Sequence, residues 1–216
     1  MTRKIPLQSF GSLRVNTPFC LPGQRIGVMG GTFNPPHDGH RIAAEAAMKR
    51  LKLDQVWWLI TPGNPLKSPN GLSPLADRMG LVRKFAHGPK MKITGFEREL
   101  GTRYTAGTLS FLKRRYPAVR FVWIMGADNL AYFDRWQHWR HIAEIMPIAI
   151  VDRPNWRHAA LSSPAARALE RYRVPESEAA TLADRHPPAW MLLTIRLSGL
   201  SSTALRKAIP AELRTE

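Results

Sequence analysis

Apolar residues in this chain fall into short unbroken runs that alternate with stretches of helical period. Residues 25–30 read as a first strand, and Val56 to Ile60 form a second, uninterrupted one. Residues 91–94, 121–125, 148–151 and 189–197 supply four more. Between them, Ile42, Ala43, Ala46, Ala47 and Leu51 make one helical stripe, and residues 73–86, 105–115, 136–145 and 164–172 give further helical patterns. Ser73 is the expected N-cap of the second helix, with Pro74 at its first position. A short helix is expected to begin near Ser201. Strands without polar alternation are buried on both faces, and their regular separation by helices predicts one α/β domain built on a doubly wound parallel sheet. Residues 25–216 make up this domain. Residues 1–24 lie outside the beat as a loose N-terminal extension, and residues 152–188, rich in Pro, Ala, Arg and Ser, form an irregular excursion before the last strand. Trp57, Trp58 and Trp123 sit within strands and are expected in the core.

Composition narrows the class without changing this architecture. A chain of 216 residues with 44% hydrophobic and 22% charged residues has an ordinary globular balance, which argues against a disordered or fibrous protein. Cys20 is the one cysteine, so an internal disulfide and a zinc cluster of several cysteines are excluded. No stretch approaches the roughly 20 apolar residues that span a bilayer, and the basic start at Arg3 and Lys4 leads into no continuous apolar segment. A cytoplasmic location is the expectation. The net charge of +16, from 32 basic against 16 acidic residues, favours anionic partners such as nucleotides, phosphate esters or nucleic acid. However, 23 of the 32 cations are Arg distributed along the whole chain, so a generally basic surface accounts for the charge equally well.

The unusual chemistry falls in the loops after the strands, where an open α/β sheet binds its ligands. Residues 30–40 run from Gly30-Gly31-Thr32-Phe33 through two prolines to His37 and His40. Adjacent glycines let backbone approach a ligand closely or take positive φ, and the helix beyond them offers unpaired N–H groups to phosphate. His37 and His40 lie one helical turn apart and can donate hydrogen bonds to one anion. The loop has neither the phosphate-loop pattern ending in Lys-Ser/Thr nor the Gly-x-Gly-x-x-Gly dinucleotide fingerprint. At the other end of the chain, Ser201, Ser202, Thr203 and Arg206 open the last helix, where hydroxyls, N-terminal amides and a guanidinium can converge on an anion.

The first loop resembles the Gly-Gly-x-Phe-x-Pro-x-His-x-Gly-His signature of the nucleotidyltransferase superfamily of His-x-Gly-His type. The last loop resembles its Ile-Ser-Ser-Thr-x-Ile/Leu-Arg signature, with Leu200 in the place of Ile. Two such signatures about 160 residues apart, each at a predicted strand end, are hard to obtain by chance. Three middle segments are similar to bacterial nicotinate mononucleotide adenylyltransferases: Thr102 to Leu109 with its Tyr104-Thr105 pair, Gly126 to Leu130 with Phe133 and Trp136, and Val151 to Pro154.

This resemblance implies a Rossmann-like fold and transfer of the adenylyl group of ATP to nicotinate mononucleotide, releasing pyrophosphate. It implies ATP binding by Gly30, Gly31, Thr32, Phe33, His37, His40, Ser201, Ser202, Thr203 and Arg206, with His37, His40 and Arg206 catalytic. Acceptor binding is implied for Asn64, Lys67, Tyr104, Thr105, Asp128 and Trp136. An indole at Trp136 suits an electron-poor pyridine ring, although the spacing of Trp136 and Trp139 also suits a core. Lys67 is either a partner of the acceptor phosphate or a solvated side chain. Magnesium is expected to arrive on ATP, because these loops hold no clustered carboxylates to cage it. A same-fold enzyme using nicotinamide mononucleotide or phosphopantetheine is the alternative, and a basic nucleic-acid-binding module is a third reading that leaves both phosphate loops unexplained.

Overall fold

The computed structural model describes residues 15–63, 71–102 and 104–195. Six strands, β1 (Arg25–Gly31), β2 (Gln55–Ile60), β3 (Met91–Thr94), β4 (Arg120–Gly126), β5 (Ile148–Val151) and β6 (Trp190–Leu193), form one sheet in the order β3-β2-β1-β4-β5-β6. Every pairing is parallel, as in β1 against β2 (Val28 beside Trp57) and β1 against β4 (Val28 beside Trp123). The sheet is doubly wound, and its winding reverses between β1 and β4. All six residues of β2 and all four of β5 and β6 are buried, which is why these strands read as unbroken apolar runs.

The helices cover both faces. One face packs α4 (Thr105–Arg115) and α6 (Trp139–Ile145) against Val28, Trp57, Trp123 and Met125, through Leu109, Leu112 and Ile142. The other packs α1 (Asp38–Arg50) through Ala43, Ala44 and Ala47, and α2 (Leu75–Arg83) through Val82. Trp57, Trp58 and Trp123 are core residues. The Trp57 indole N–H donates to Gln55 Oε1 at 2.9 Å, so its burial leaves no lost hydrogen bond.

Three local expectations are corrected. The second helix starts at Leu75, with Pro74 rather than Ser73 at the capping position; the Ser73 carbonyl is instead taken by Arg78 Nε at 2.8 Å. The helix expected over residues 136–145 begins only at Trp139, because His138 takes a left-handed conformation (φ +57°). Trp136 therefore closes a short 3-10 turn over Phe133–Arg135. The stretch 152–188 is more regular than expected: it holds α7 (Arg157–Leu161), α8 (Pro164–Ala168) and 3-10 turns over Glu170–Tyr172 and Glu176–Asp184. Ser163 caps α8 by accepting from the Ala166 N–H.

Residues 15–24 pack against the domain. Val15 is 2% exposed, the Asn16 N–H donates to Glu99 at 2.7 Å, and the Gly23 N–H donates to the Ala118 carbonyl at 2.8 Å. Residues 1–14 and the helix expected near Ser201 lie outside the described residues.

Candidate active site

The carboxyl ends of β1 and β4, where the sheet reverses its winding, open the crevice in which such sheets bind ligands. The first loop leaves β1 here. At Gly30 a β-carbon would overlap the Trp123 indole, so the backbone can lie on that ring only without a side chain. Phe33 takes a left-handed conformation (φ +46°) and turns its ring into the core, 5.3 Å from Trp58 and 5.0 Å from the His40 ring. Phe33 is thus a wall behind His40, and its side chain is 2% exposed.

His37 stands at the N-cap of α1 and His40 in its first turn. Their rings lie 3.8 Å apart between centroids, tilted by 33°. His40 Nδ1 accepts the His37 backbone N–H at 3.3 Å. That assigns the neutral His40 tautomer: Nδ1 accepts, and Nε2 carries the proton. Both ring nitrogens of His37 are buried with no hydrogen-bond partner among the described residues, which leaves them open to a water or a ligand atom.

Neither ring is charged at neutral pH. Burial, then the nearby Arg153 guanidinium, pushes His37 down to about 4, against weaker opposing pulls from Asp38 and Asp128. Burial, then His37 and Arg153, holds His40 well below the usual histidine range. Two neutral imidazoles can donate to phosphate oxygens without a standing charge that must be desolvated. Because the folded pKa of His37 lies below its ordinary 6.5, its contribution to stability is lost as pH falls from about 6.5 through about 4. A proton NMR titration of the free protein is expected to give a His37 midpoint near 4; a midpoint at or above the ordinary value would remove the neutral donor.

β4 and β5 bring up the other half of the corner. Asp128, in the first turn of α5 (Ala127–Leu130), pairs with Arg153 Nε at 3.2 Å. The pair lies over Gly126, where a β-carbon would strike both side chains. Asp128, one of the residues expected at the acceptor, is thus also the carboxylate that aims Arg153. Arg153 was not among the expected site residues; its Arg-Pro pair at the end of an apolar strand was the available signal. Beyond it, a cleft of about 730 Å3 is lined by Asp152, Arg153, Asn155, Arg157, His158 and Thr194, among others. Asp152, 4% exposed, accepts from the Arg153 N–H at 2.9 Å and from Arg157 Nε at 2.9 Å, and so shapes this cleft.

Of the residues expected at the acceptor, Tyr104, Thr105 and Trp136 lie on the α4 and α6 face. Tyr104 is the N-cap of α4 and 42% exposed, with its N–H donating to Thr102 Oγ1 at 3.2 Å; Thr105 is the first residue of the helix. Trp136 is half-buried, edge-on to Phe133 at 5.5 Å. It both packs on the core and keeps part of its ring accessible. Asn64, Lys67, Ser201, Ser202, Thr203 and Arg206 lie outside the described residues. Among the described residues no group of three or more His, Cys, Asp or Glu side chains is arranged to hold a metal, and no helix is long and apolar enough to cross a membrane.

Comparison with known proteins gives the family. The cytidylyltransferase-like family profile matches residues 28–208. A "Probable nicotinate-nucleotide adenylyltransferase" of Bradyrhizobium sp. (strain ORS 278) is 58% identical over 182 residues, covering 84% of this chain and 95% of the relative. One of the same name from Rhizobium meliloti (strain 1021) is 56% identical over 183 residues, covering 85% and 97%. Among solved structures, Plasmodium falciparum nicotinic acid mononucleotide adenylyltransferase complexed with NaAD shares the fold, with a TM-score of 0.66 at 18% identity over 88% of this chain and 85% of that one. The chain therefore belongs to the cytidylyltransferase-like family and, within it, to the group of nicotinate-nucleotide adenylyltransferases.

Proposed function

We propose that this protein transfers the adenylyl group of ATP to nicotinate mononucleotide, giving deamido-NAD and pyrophosphate in NAD biosynthesis. The observation that carries this reading is the stacked, neutral His37–His40 pair beside Arg153 at the reversal point of the sheet. It occurs in a chain more than half identical to named nicotinate-nucleotide adenylyltransferases over most of its length.

The acceptor phosphate is ionised at neutral pH and needs no general base. One of its oxygens attacks the α-phosphorus of ATP in line; a new P–O bond forms as the bond to the β-phosphate bridging oxygen breaks, and the electron pair leaves with pyrophosphate. Catalysis consists of holding the two phosphates in line and stabilising the charge that moves to the leaving group. His37 and His40 donate to the triphosphate, Gly30, Gly31 and Thr32 bring backbone against it, and the resemblance assigns Ser201, Ser202, Thr203 and Arg206 to the same phosphates. The donor nucleoside takes the cleft beside Arg153. The carboxylate at this corner, Asp128, is committed to Arg153, so a divalent cation fits as one held by the triphosphate rather than by the protein. A magnesium ion so carried would neutralise charge on the departing pyrophosphate.

On the acceptor side, Thr105 presents the first N–H groups of α4, which suit a carboxylate, and the accessible part of Trp136 offers a stacking face for the pyridine ring. Asn64 and Lys67 follow β2 in the sequence; the resemblance assigns them to the acceptor, for whose phosphate the Lys67 charge is suited. The test is pyrophosphate release from ATP and magnesium with nicotinate and nicotinamide mononucleotides in parallel. Strong preference for the nicotinate form is expected. Trp136→Ala is expected to raise the acceptor KM by about tenfold, the equivalent of one ring stack, with the ATP KM unchanged. An unchanged acceptor KM removes Trp136 from the site, and equal use of both acceptors discards the carboxylate recognition at Thr105.

A further inference from the structure

Arg78 looks like a surface residue of α2, yet it is 1% exposed. Its Nη1 donates to the carbonyls of Thr32 and Thr61, each at 2.8 Å, and its Nε donates to the Ser73 carbonyl at 2.8 Å. Thr32 lies in the loop after β1 that carries both histidines, Thr61 directly after β2, and Ser73 just before α2. A single planar guanidinium thus gathers three chain segments at the ligand-binding edge of the sheet. Around it, the Thr61 N–H donates to the Gly31 carbonyl at 3.0 Å, and Asn34 Nδ2 donates to the Gly71 carbonyl at 2.7 Å.

No carboxylate pairs with Arg78 among the described residues. Burying a cation without a counter-ion is expensive, and a neutral amide would tie two loops at less cost. The charge is of use here because it rests on the carbonyl of Thr32, next to backbone that meets phosphate. There it polarises the peptide and favours an anion above it, as a fixed donor array must.

We propose that Arg78 is a positioning residue for adenylyl transfer: its guanidinium sets the gap between the histidine-bearing loop and the loop after β2, and so the in-line approach of acceptor to ATP. The proposal rests on the adenylyltransferase reading for its kinetic half alone. Arg78→Lys supplies a point charge instead of a fork and cannot span three carbonyls. Misplacement of reacting groups by about 1 Å can cost about 100-fold, so a fall of that order in kcat is expected for Arg78→Lys and Arg78→Met, with smaller changes in either KM. Arg83→Met, on the exposed side of the same helix, is expected to behave as wild type.

Two further measurements separate positioning from simple loss of fold. Guanidinium ion at low concentration is expected to restore turnover to Arg78→Ala, whereas urea, its neutral counterpart, is not. Amide hydrogen exchange of Arg78→Lys is expected to speed up together in residues 30–36 and 60–63 while β4 keeps its protection. Wild-type kcat in folded Arg78→Lys and Arg78→Met, equal rescue by urea, or unchanged exchange in both loops would each overturn the proposal. If the wild type releases no pyrophosphate with nicotinate mononucleotide, the activity reading fails, and the exchange experiment still decides the tie.

Discussion

A folded His40→Ala variant is expected to turn over at least about 100-fold more slowly than wild type, with little change in the acceptor KM. Removing one preorganised donor that faces developing charge costs about 3–4 kcal/mol of transition-state stabilisation, which is a factor of 10²–10³ in turnover. His40 qualifies as such a donor on geometry. Its Nδ1 is occupied by the His37 N–H at 3.3 Å, Phe33 backs its ring at 5.0 Å, and burial keeps it neutral, so its proton sits on Nε2 at a fixed point. Its loss also removes the ring that stacks on His37. The variant should be accompanied by His40→Gln, which restores an N–H donor without the ring and is expected to recover part of the loss. Steady-state kinetics with both substrates varied, together with a melting curve to show that the fold survives, provide the check. Equal turnover in a folded His40→Ala protein would sink the catalytic role.

The second large effect is expected from Glu97→Gln, and its sign depends on pH. Glu97, on α3 (Glu97–Leu100), is 3% exposed; Thr108 on α4 donates its hydroxyl to Oε1 at 2.6 Å, and Oε2 is buried with no partner among the described residues. Burial outweighs the Thr108 hydrogen bond and pushes the carboxyl up from 4.5 to about 7. Between those values the folded protein holds a proton that the unfolded chain has released, so stability falls as pH rises from about 4.5 to about 7 and stays reduced above. The glutamine is neutral at every pH and escapes this penalty.

The advantage of Glu97→Gln over wild type should therefore grow through that window and level off near pH 8. The difference in pKa from 4.5 to about 7, at about 1.4 kcal/mol per unit, sets the change at about 3 kcal/mol. For a chain of this size that is roughly 6–12 °C in Tm. Melting curves of both proteins at pH 5 and pH 8 test it, and a Tm difference that is the same at both would show that Glu97 does not carry a displaced pKa.

What could be read along the chain was whatever depends on neighbours in sequence. The strands were legible because burial on both faces leaves an unbroken apolar run, seen in β2 and β5. The His37–His40 pairing was legible because one helical turn brings such positions together, whereas Gly30, read as making room for a ligand, makes room for the Trp123 indole.

Local rules failed where a more distant partner competed. Ser73 has the chemistry of a cap, but Arg78 claims its carbonyl and the helix begins later. Trp136 has helical spacing to Trp139, but the left-handed His138 breaks the helix between them.

The remainder came only with the tertiary structure. Asp128 and Arg153 end different strands, and only the β4–β5 pairing sets them across Gly126. Arg78 drew no notice along the chain, because its role depends on the loops after β1 and β2 closing their carbonyls over it. The shared reason is physical. Periodicity reports which face of an element is buried, whereas hydrogen-bond partners and pKa values depend on what the rest of the chain places against that face.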